Sequence, residues 1–318
     1  MPPGPASHPL PMIGAQLSAA GGLAHVVSRA REIGAEAVQI FSWNPRQWRP
    51  YDYSAADIAL LRSEMRRAAM PLFVHTIYLV NLAGPDPLLR ERSCAALAIG
   101  LAFAAAAGAA GVVTHIGSHR GDGFGIALPR VAEAIAVSQA AAAAAVADTA
   151  VSNPPRESGK GADRDLPPLL LEVSSGSGDS VGRDVEELSR LLTATEGSPG
   201  PVGICLDTAH LFAGGHPVHT PQGLEILVES LAERGCLDRL GLIHLNDCRS
   251  SLGSFADRHE NLWDGNIGRA GLEPFVRHPA FRHVPFVLET PGLEGHGPDR
   301  ENMRRAKLMR RRRAGDVR

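Results

Sequence analysis

Six short apolar segments of the chain each end in a histidine or a carboxylate. One histidine in such a position would usually be explained by packing, but six successive side chains of metal-binding type are hard to explain that way. Buried carboxylates are costly to desolvate, and a bound cation would offset that cost. The six residues are His75, His115, Glu172, Asp207, His244 and Glu289.

Three further residues of the same types lie in two nearby motifs. His210 follows Asp207 in the segment Asp-Thr-Ala-His, and Asp257 and His259 end the segment HLNDCRSSLGSFADRH. An isolated Asp-x-His pair is usually two exposed loop residues, so this pair is interpreted as metal-binding only because the other candidates accompany it. Because an ion takes three or four protein ligands, these five histidines and four carboxylates suit two or three ions. Zinc is favoured, with manganese or iron as substitutes.

Hydrolysis of a phosphodiester is the chemistry that such a site would perform. Three divalent cations would outweigh four carboxylates and leave a positive pocket in a chain whose formal net charge is −2. Multi-metal sites activate water and stabilise both the attacking and the leaving oxygen of an in-line displacement. The overall charge gives no hint of a nucleic-acid partner, so any attraction to phosphate must be local.

A repeated strand–helix unit would position these side chains. Helix-like stretches separate eight short apolar runs, which indicates parallel strands joined by helices. Eight units predict a closed (β/α)8 barrel, a TIM barrel of the α/β class, whose strands all end at one mouth. An open doubly wound sheet is the alternative, but residues 18–22, after the first run, lack the usual glycine-rich phosphate loop. The runs are 12–16, 37–42, 72–75, 111–115, 168–172, 202–207, 241–244 and 285–289.

Length and composition fit a single domain. The chain has 318 residues, of which 44% are hydrophobic and 21% charged, so a sizeable core can form. We expect a disordered extension over 1–10, the barrel over 11–300 with a flexible loop at 148–165, and a basic tail over 301–318. The arginines of that tail are interpreted as a solvated surface, in preference to a phosphate-binding arm.

The cysteines and the first residues indicate a reduced, cytosolic compartment. Four cysteines without Cys-x-x-Cys spacing argue against a disulfide scaffold and against a cysteine zinc site. No basic segment followed by an apolar run stands at the start, so we expect no secretory signal. The uncharged run 94–114 could span a bilayer by length, but it is mostly alanine and glycine and is interpreted as a helix and a buried strand.

The chain resembles the endonuclease IV family of zinc-dependent abasic-site endonucleases. The resemblance extends from residue 13 to about 290, and LDTAH, HLND and DRH, in this order and spacing, are highly specific as a set. The matching segments are IGAQLSAAGGL (13–23), FSWNPRQWRP (41–50), VHTIYLVNL (74–82), THIGSH (114–119), GICLDTAHLFAGG (203–215), HLNDCRSSLGSFADRHE (244–260), GNIG (265–268) and VLET (287–290).

This resemblance implies a site with three zinc ions and a specific reaction. Glu172 would bridge two of the ions, and Glu172, Asp207 and Glu289 would be the catalytic carboxylates. The reaction would hydrolyse the phosphodiester 5′ to an abasic deoxyribose in duplex DNA, leaving a 3′-hydroxyl and a 5′-sugar phosphate, and the family also trims blocked 3′ ends. The implied ligand sets are His75, His115 and Glu172; Glu172, Asp207, His244 and Glu289; and His210, Asp257 and His259.

The resemblance also implies residues that bend DNA. Arg46, Tyr78 and Leu79 would enter the minor groove and the base stack, with Gln47 and Trp48 as further contacts. Kinking a duplex costs a few kcal/mol of unstacking, and an abasic nucleotide flips most easily because it lacks a base. Without the resemblance, Tyr78 and Leu79 would be interpreted as ordinary loop packing. We expect a monomer that acts in the cytoplasm, at the nucleoid, and not at a membrane.

Three segments depart from the family pattern. Gln16 stands where relatives usually have histidine, residues 173–175 read Val-Ser-Ser in place of Asn-Thr-Ala, and residues 76–77 read Thr-Ile in place of Asp-Ser. Such neighbours of a metal typically change affinity or activity by roughly 10–100-fold, so the reaction class should survive. His119 is a further candidate for a contact with phosphate or with a ligand.

Two rival functions stay open. A sugar isomerase or epimerase of the related barrel group would use Glu172, Asp207, His244 and Glu289, but it has no need of the Asp-x-His pair. A DNA-binding relative without catalysis is the second rival, and the intact set of candidate ligands argues against it.

Overall fold

Eight parallel strands close into a barrel within residues 10–152 and 165–311, which the structure, a computed structural model, describes. The strands are β1 (Ile13–Leu17), β2 (Val38–Phe41), β3 (Leu72–His75), β4 (Gly111–Thr114), β5 (Leu169–Glu172), β6 (Val202–Asp207), β7 (Leu240–His244) and β10 (Phe286–Leu288). Around the barrel the order is β1-β10-β7-β6-β5-β4-β3-β2. The predicted (β/α)8 barrel is confirmed, and each predicted run becomes a strand whose ends differ by at most one residue.

Continuous apolar runs explain why these segments become barrel strands. Every residue of β3, β4 and β5 is buried, as parallel strands covered on both faces require. Side chains from six adjacent strands fill the barrel interior, which is therefore a packed core. They are Phe73, Val113, Leu170, Cys205, Leu242 and Val287.

Helices cover the outside of the barrel. They are α1 (Val26–Ile33), α2 (Ala55–Ala68), α3 (Pro87–Ala107), α4 (Phe124–Ser152), α5 (Val185–Ala194), α6 (Thr208–Ala213), α7 (Pro221–Glu233), α8 (Gly268–Arg277) and α9 (Arg300–Arg310). Side-chain caps begin several of them: Ser54 and Asp57 form a capping box on α2, and Asp86 caps α3 before a proline at its first position. Helix α3 and strand β4 account for the uncharged run 94–114.

The first residues of the loop expected at 148–165 belong to a helix instead. Helix α4 continues to Ser152, so residues 148–152 are helical. An alanine-rich sequence of high helix propensity explains the extension. Residues 153–164 lie outside the described residues, as do 1–9 of the expected N-terminal extension and 312–318 of the expected tail.

The domain boundary expected at residue 300 is too early, because residues 300–310 form helix α9. This helix buries Met303, Ala306 and Met309 and packs against α8 and β1. The apolar residues at 303, 306 and 309 follow a helical spacing that the surrounding arginines obscured in the sequence. The basic segment is therefore partly a structural element of the barrel.

Basic side chains of α9 make intramolecular contacts far from the barrel mouth. Lys307 Nζ donates to the carbonyl of Gly34 over 2.6 Å, and Arg310 pairs with Glu36. Glu36 also accepts a hydrogen bond from the backbone N–H of Ile13, at the amino end of β1. Lys307 and Arg310 therefore lie on the face opposite the carboxyl ends of the strands, which favours the solvated-surface interpretation over a phosphate-binding arm.

One described helical stretch, Phe124–Asp148 in α4, is long and apolar enough to cross a membrane by length and composition. A helix packed on the core of a soluble protein passes the same test, so this observation is weak evidence for a span. Helix α4 packs against α3 and α5.

Candidate metal centre

The carboxyl ends of the strands bring the predicted side chains together at the mouth. His75, Glu172, Asp207 and His244 are the last residues of β3, β5, β6 and β7, while His115 and Glu289 directly follow β4 and β10. Three groups of side chains each offer ligand atoms that all lie within 4.8 Å of one another. They are His75, His115 and Glu172; Glu172, Asp207, His244 and Glu289; and Asp207, His210 and His259.

Glu172 links two of these groups through its two carboxylate oxygens. Its Oε2 lies 3.1 Å from Nε2 of His75 and 3.1 Å from Nε2 of His115. Its Oε1 lies 3.0 Å from Nδ1 of His244, which is also 3.3 Å from Oε2 of Glu289. The predicted bridging position of Glu172 agrees with this geometry.

Asp257 and Asp207 stand beside the third group. Asp257 places Oδ2 at 3.1 Å from Nε2 of His210 and Oδ1 at 3.2 Å from Nε2 of His259. Asp207 Oδ2 lies 3.6 Å from the same nitrogen of His259. The sequence assigned Asp207 to the second group alone, whereas the geometry places it between the second and third groups.

The separations fit a divalent metal with nitrogen and oxygen ligands. Zinc bonds to such atoms are about 2.0–2.2 Å long, so tetrahedral ligands lie about 3.3 Å apart. The contacts that join Glu172, Asp257 and Asp207 to their histidines span 3.0 to 3.7 Å. In addition, His259 Nε2 is buried without a hydrogen-bond partner, as a nitrogen reserved for a metal would be.

Backbone carbonyls fix the rings of three histidines. Nδ1 of His75 contacts the carbonyl of Thr76 at 2.7 Å, and Nδ1 of His210 contacts the carbonyl of Val173 at 2.8 Å. His259 Nδ1 contacts a carbonyl at 3.3 Å. Since a carbonyl can only accept, Nδ1 carries a proton in each ring, and Nε2 is the nitrogen left to bind a metal in the cluster.

The electrostatics of the cluster favour bound cations. Burial alone would raise the pKa of Glu172, but His244 and His115 hold it well below its ordinary value. Burial would lower the pKa of His259, yet the neighbouring carboxylates, Asp207 foremost, raise it to about 9. Glu172 is therefore ionised and attracts positive charge, and a metal ion must displace a proton to bind His259.

A short hairpin delivers the Asp-x-His pair. Strands β8 (Asp247–Cys248) and β9 (His259–Glu260) pair antiparallel, so His259 lies opposite Cys248. The buried carboxylate of Asp247 accepts hydrogen bonds from five backbone N–H groups, four of them in the turn 263–268, and a side chain at Gly265 would collide with it. The five donors are Cys248, Trp263, Gly265, Ile267 and Gly268.

Comparison with known proteins places the chain among relatives that share most of its length. The family described as xylose isomerase-like TIM barrel matches residues 27–312. A probable endonuclease 4 from Methanoculleus marisnigri is 36% identical over 88% of this chain and 92% of its own length. A second, from Nitratidesulfovibrio vulgaris, is 35% identical over 92% of this chain and 97% of its own length.

The chain belongs to the endonuclease IV family.

A solved structure agrees with this membership. Endonuclease IV from Thermus thermophilus superposes with a TM-score of 0.77 at 33% identity, covering 94% of this chain and 98% of that one. A 3-keto-D-glucoside 4-epimerase from E. coli reaches a TM-score of 0.62 at 12% identity, which shows a common fold alone. As an endonuclease IV family member, the chain is a nuclease and therefore a hydrolase.

The cleft above the candidate metal-ligand groups carries three of the residues expected to contact DNA. It encloses about 580 Å³ and is lined on one side by Trp48, Tyr78 and Leu79. The Tyr78 ring is half exposed and stacks on His115, with ring centroids 5.8 Å apart. Its backbone N–H donates to the carbonyl of Pro45, which joins this loop to the one after β2.

Arg46 and Gln47 are exposed in that second loop. The carbonyl of Gln47 accepts a hydrogen bond from the buried indole of Trp43 at 3.0 Å, which anchors the loop to the core. Both side chains are therefore free to reach a partner that lies across the mouth, while the loop backbone is fixed.

The departures from the family pattern leave the ligand atoms in place. Val173 supplies its carbonyl, not its side chain, to His210, so the residue type matters little there. Thr76 Oγ1 contacts Thr114 Oγ1 at 2.8 Å, and Ile77 is buried. The side-chain oxygen of Gln16 is buried without a partner. His119 accepts the backbone N–H of Gly123 through Nδ1, a local loop contact.

Two buried amides that sequence reasoning missed hold the ligands. Asn246 donates to Asp207 over 2.7 Å and accepts the backbone N–H of Glu289. Gln39 donates to Glu289 over 2.7 Å and accepts from His244. The sequence places Gln39 inside the apolar run 37–42, and a buried amide requires partners, but the sequence does not show which side chains supply them.

Proposed function

We propose that the protein is a DNA repair endonuclease that hydrolyses the phosphodiester 5′ to abasic sites in duplex DNA. The products are a 3′-hydroxyl and a 5′-deoxyribose phosphate, and the same site trims blocked 3′ ends. The observation that carries the proposal is the continuous cluster, at the barrel mouth, of nine side chains of metal-binding type, in which Glu172 joins two groups.

Three zinc ions, with manganese or iron as substitutes, are the metals that this donor set suits. His75 and His115 would hold the first, and Glu172 would bridge it to the second. The second would also bind the carboxylates of Asp207 and Glu289 and the imidazole of His244. His210, Asp257 and His259 would hold the third, near Asp207. When bound, such ions activate water and stabilise the oxygens of the cleaved ester.

The carboxylates of the chain do the remaining work at the reacting phosphate. Glu172, Asp207 and Glu289 converge from three strands, so their relative positions are set by the barrel rather than by loops. Burial would lower the pKa of His259, but Asp207, Asp257 and Glu289 raise it to about 9, so its proton stays on unless a cation displaces it. Binding of a metal at this position would therefore release the proton from His259.

Tyr78 and Leu79 form the wedge that we assign to the kinked duplex, and Arg46 and Gln47 contact its minor groove. Tyr78 stands directly over His115, so a side chain inserted into the base stack would keep the flipped abasic nucleotide next to the metal centre. The enzyme would act in the cytoplasm, at the nucleoid, as a monomer.

A nicking assay tests the proposed function. Zinc-loaded protein should cut a labelled duplex containing one abasic site, on its 5′ side, and leave the undamaged duplex intact. Prolonged chelation should abolish cutting and added zinc should restore it. If fully metallated protein leaves the abasic duplex uncut, the proposal is wrong. Turnover of ketohexoses by the same sample, without DNA cleavage, would favour the sugar epimerase alternative.

A further inference from the structure

His244 differs from the other fixed histidines of the cluster in the way its ring is oriented. In His75, His210 and His259, Nδ1 meets a backbone carbonyl and Nε2 faces the cluster. In His244 the ring is reversed. Its Nδ1 lies 3.0 Å from Oε1 of Glu172, and its Nε2 points back to a side chain.

That side chain is Gln39 of strand β2. Gln39 Oε1 lies 3.0 Å from Nε2 of His244, and Gln39 Nε2 donates to Oε1 of Glu289 over 2.7 Å. The carboxylate oxygen can only accept, so the amide orientation is determined: its NH2 group faces Glu289 and its oxygen faces His244. Nε2 of His244 must then carry a proton, and Nδ1 is the nitrogen whose proton a bound metal would replace.

We propose that Gln39 is the positioning residue for the second metal position. It fixes the tautomer of His244 and also holds one oxygen of Glu289, which leaves Oε2 of Glu289 at 3.3 Å from Nδ1 of His244. One amide thus aligns two ligands of the same ion, and these come from two different strands. Since Gln39 and His244 are both fully buried, water does not compete for these bonds.

The inference rests on the metal site of the proposed function but not on the cleavage of DNA. Outer-shell partners of metal ligands typically contribute roughly 10–100-fold to affinity. Removing Gln39 should therefore weaken one ion by that factor and leave the other two ions bound, because the neighbouring histidines are aligned by backbone carbonyls that no side-chain change removes.

The experiment measures zinc retention in three variants of the full-length protein. Gln39→Met keeps the side-chain volume and removes both hydrogen bonds, whereas Gln39→Glu keeps an acceptor for His244 and sets a second carboxylate against Glu289. Gln139→Met is the matched control, because Gln139 is also fully buried and bonds at both ends of its amide, to Gly200 and Pro201, away from the mouth.

Zinc bound per chain is counted after dialysis against a graded series of EDTA concentrations. Both Gln39 variants should release one ion at an EDTA concentration roughly 10–100-fold lower than the unmodified protein requires. Gln139→Met should retain all ions even if its melting temperature falls. In histidine-labelled, zinc-loaded protein, one hydrogen-bonded Nε2–H resonance should be present and should shift or disappear in Gln39→Met.

Unchanged zinc retention in Gln39→Met would overturn the inference, as would equal losses in Gln139→Met. Normal retention in Gln39→Glu would overturn the part that concerns Glu289. If the unmodified protein leaves abasic DNA uncut but Gln39→Met still loses a single ion, the inference stands and the proposed function fails. If abasic DNA is cut and Gln39→Met retains every ion, the proposed function stands and the inference about Gln39 fails.

Discussion

Glu172 is the side chain on which the candidate centre depends most. It is fully buried, its two oxygens face different histidine groups, and its pKa is held well below its ordinary value by those histidines in spite of burial. A buried carboxylate in this position would serve two of the proposed metal positions at once. No other described side chain links the first group to the second.

Replacing Glu172 with Gln should therefore damage two metal positions. The amide keeps the size of the side chain but loses the charge, and its NH2 group would face imidazole nitrogens that should bind metal. We expect kcat/KM on the abasic duplex to fall by more than about 100-fold, beyond the roughly 10–100-fold range of outer-shell changes, with loss of two ions from the zinc count.

Glu187→Gln is the matched control, because Glu187 is a buried carboxylate on α5 whose partners, the backbone N–H of Gly182 and the side chain of Arg183, lie outside the candidate ligands. It should retain zinc and near-normal activity. Near-normal activity of Glu172→Gln itself would contradict the bridging assignment.

The sequence predicted the nine ligand candidates because each one ends a strand or belongs to a recognisable motif. It missed Gln39 and Asn246, whose roles depend on which side chains meet across the barrel. Gln39 lies on β2 and contacts residues of β7 and of the segment after β10, and nothing in linear order pairs these strands. Cross-barrel contacts of this kind follow from closure of the sheet.

At the scale of elements, the continuous apolar strands were predictable and the short elements were not. Strands β8 and β9 have two residues each, too few for any periodicity, and α6 has six. Helix α6 begins at the cap provided by Asp207, which accepts the backbone N–H of His210 at 2.8 Å. Asp207 therefore both ends a strand and begins the helix that carries the next ligand.

Asp247 should stabilise the turn 263–268 and the hairpin of β8 and β9. Asp247→Ala leaves buried backbone donors of the turn 263–268 without a partner, at about 1–3 kcal/mol for each donor that water cannot reach. We expect the free energy of unfolding of chelator-stripped protein to fall by about 3 kcal/mol or more in urea titrations. The zinc-loaded variant should lose the ion bound by His259.

Asp264→Ala in the same turn is the comparison, since Asp264 is half exposed and pairs with Arg305 near the surface. Its effect should stay within about 1 kcal/mol, as is usual for surface ion pairs. Equal destabilisation by the two substitutions would show that the turn does not depend on the buried carboxylate.

For the whole molecule, the histidines and carboxylates clustered at the barrel mouth make the free energy of unfolding depend on pH. Burial would lower the pKa values of His210 and His244, but nearby carboxylates, and for His244 first the Cys205 thiol, raise them well above the ordinary histidine value, and the pKa of His259 is raised to about 9. Without a cation, these protonated imidazoles are what neutralise the buried carboxylates. Protons and metal ions therefore compete for the same atoms.

The stability of chelator-stripped protein should consequently fall as pH rises from about 6.5 to 9. A histidine whose folded pKa exceeds its unfolded value of about 6.5 contributes its full stabilisation below that pH and loses it as the pH passes the folded value. For His259, with a folded pKa of about 9, the contribution is up to about 3 kcal/mol. Below about pH 4.5, the lowered pKa values of Glu172 and Asp257 act in the opposite direction, and stability falls as these carboxylates become protonated.

Zinc should counteract the loss of stability between about pH 6.5 and 9, because deprotonated imidazoles bind it more tightly. Melting temperatures of stripped and zinc-loaded protein, measured by calorimetry from about pH 5 to 9, should diverge steadily above about pH 6.5. His259→Gln should flatten the fall of the stripped protein, whereas His25→Gln, at an exposed position on the turn before α1, should leave it unchanged. Parallel profiles with and without zinc would mean that the imidazoles of the mouth do not bind the metal.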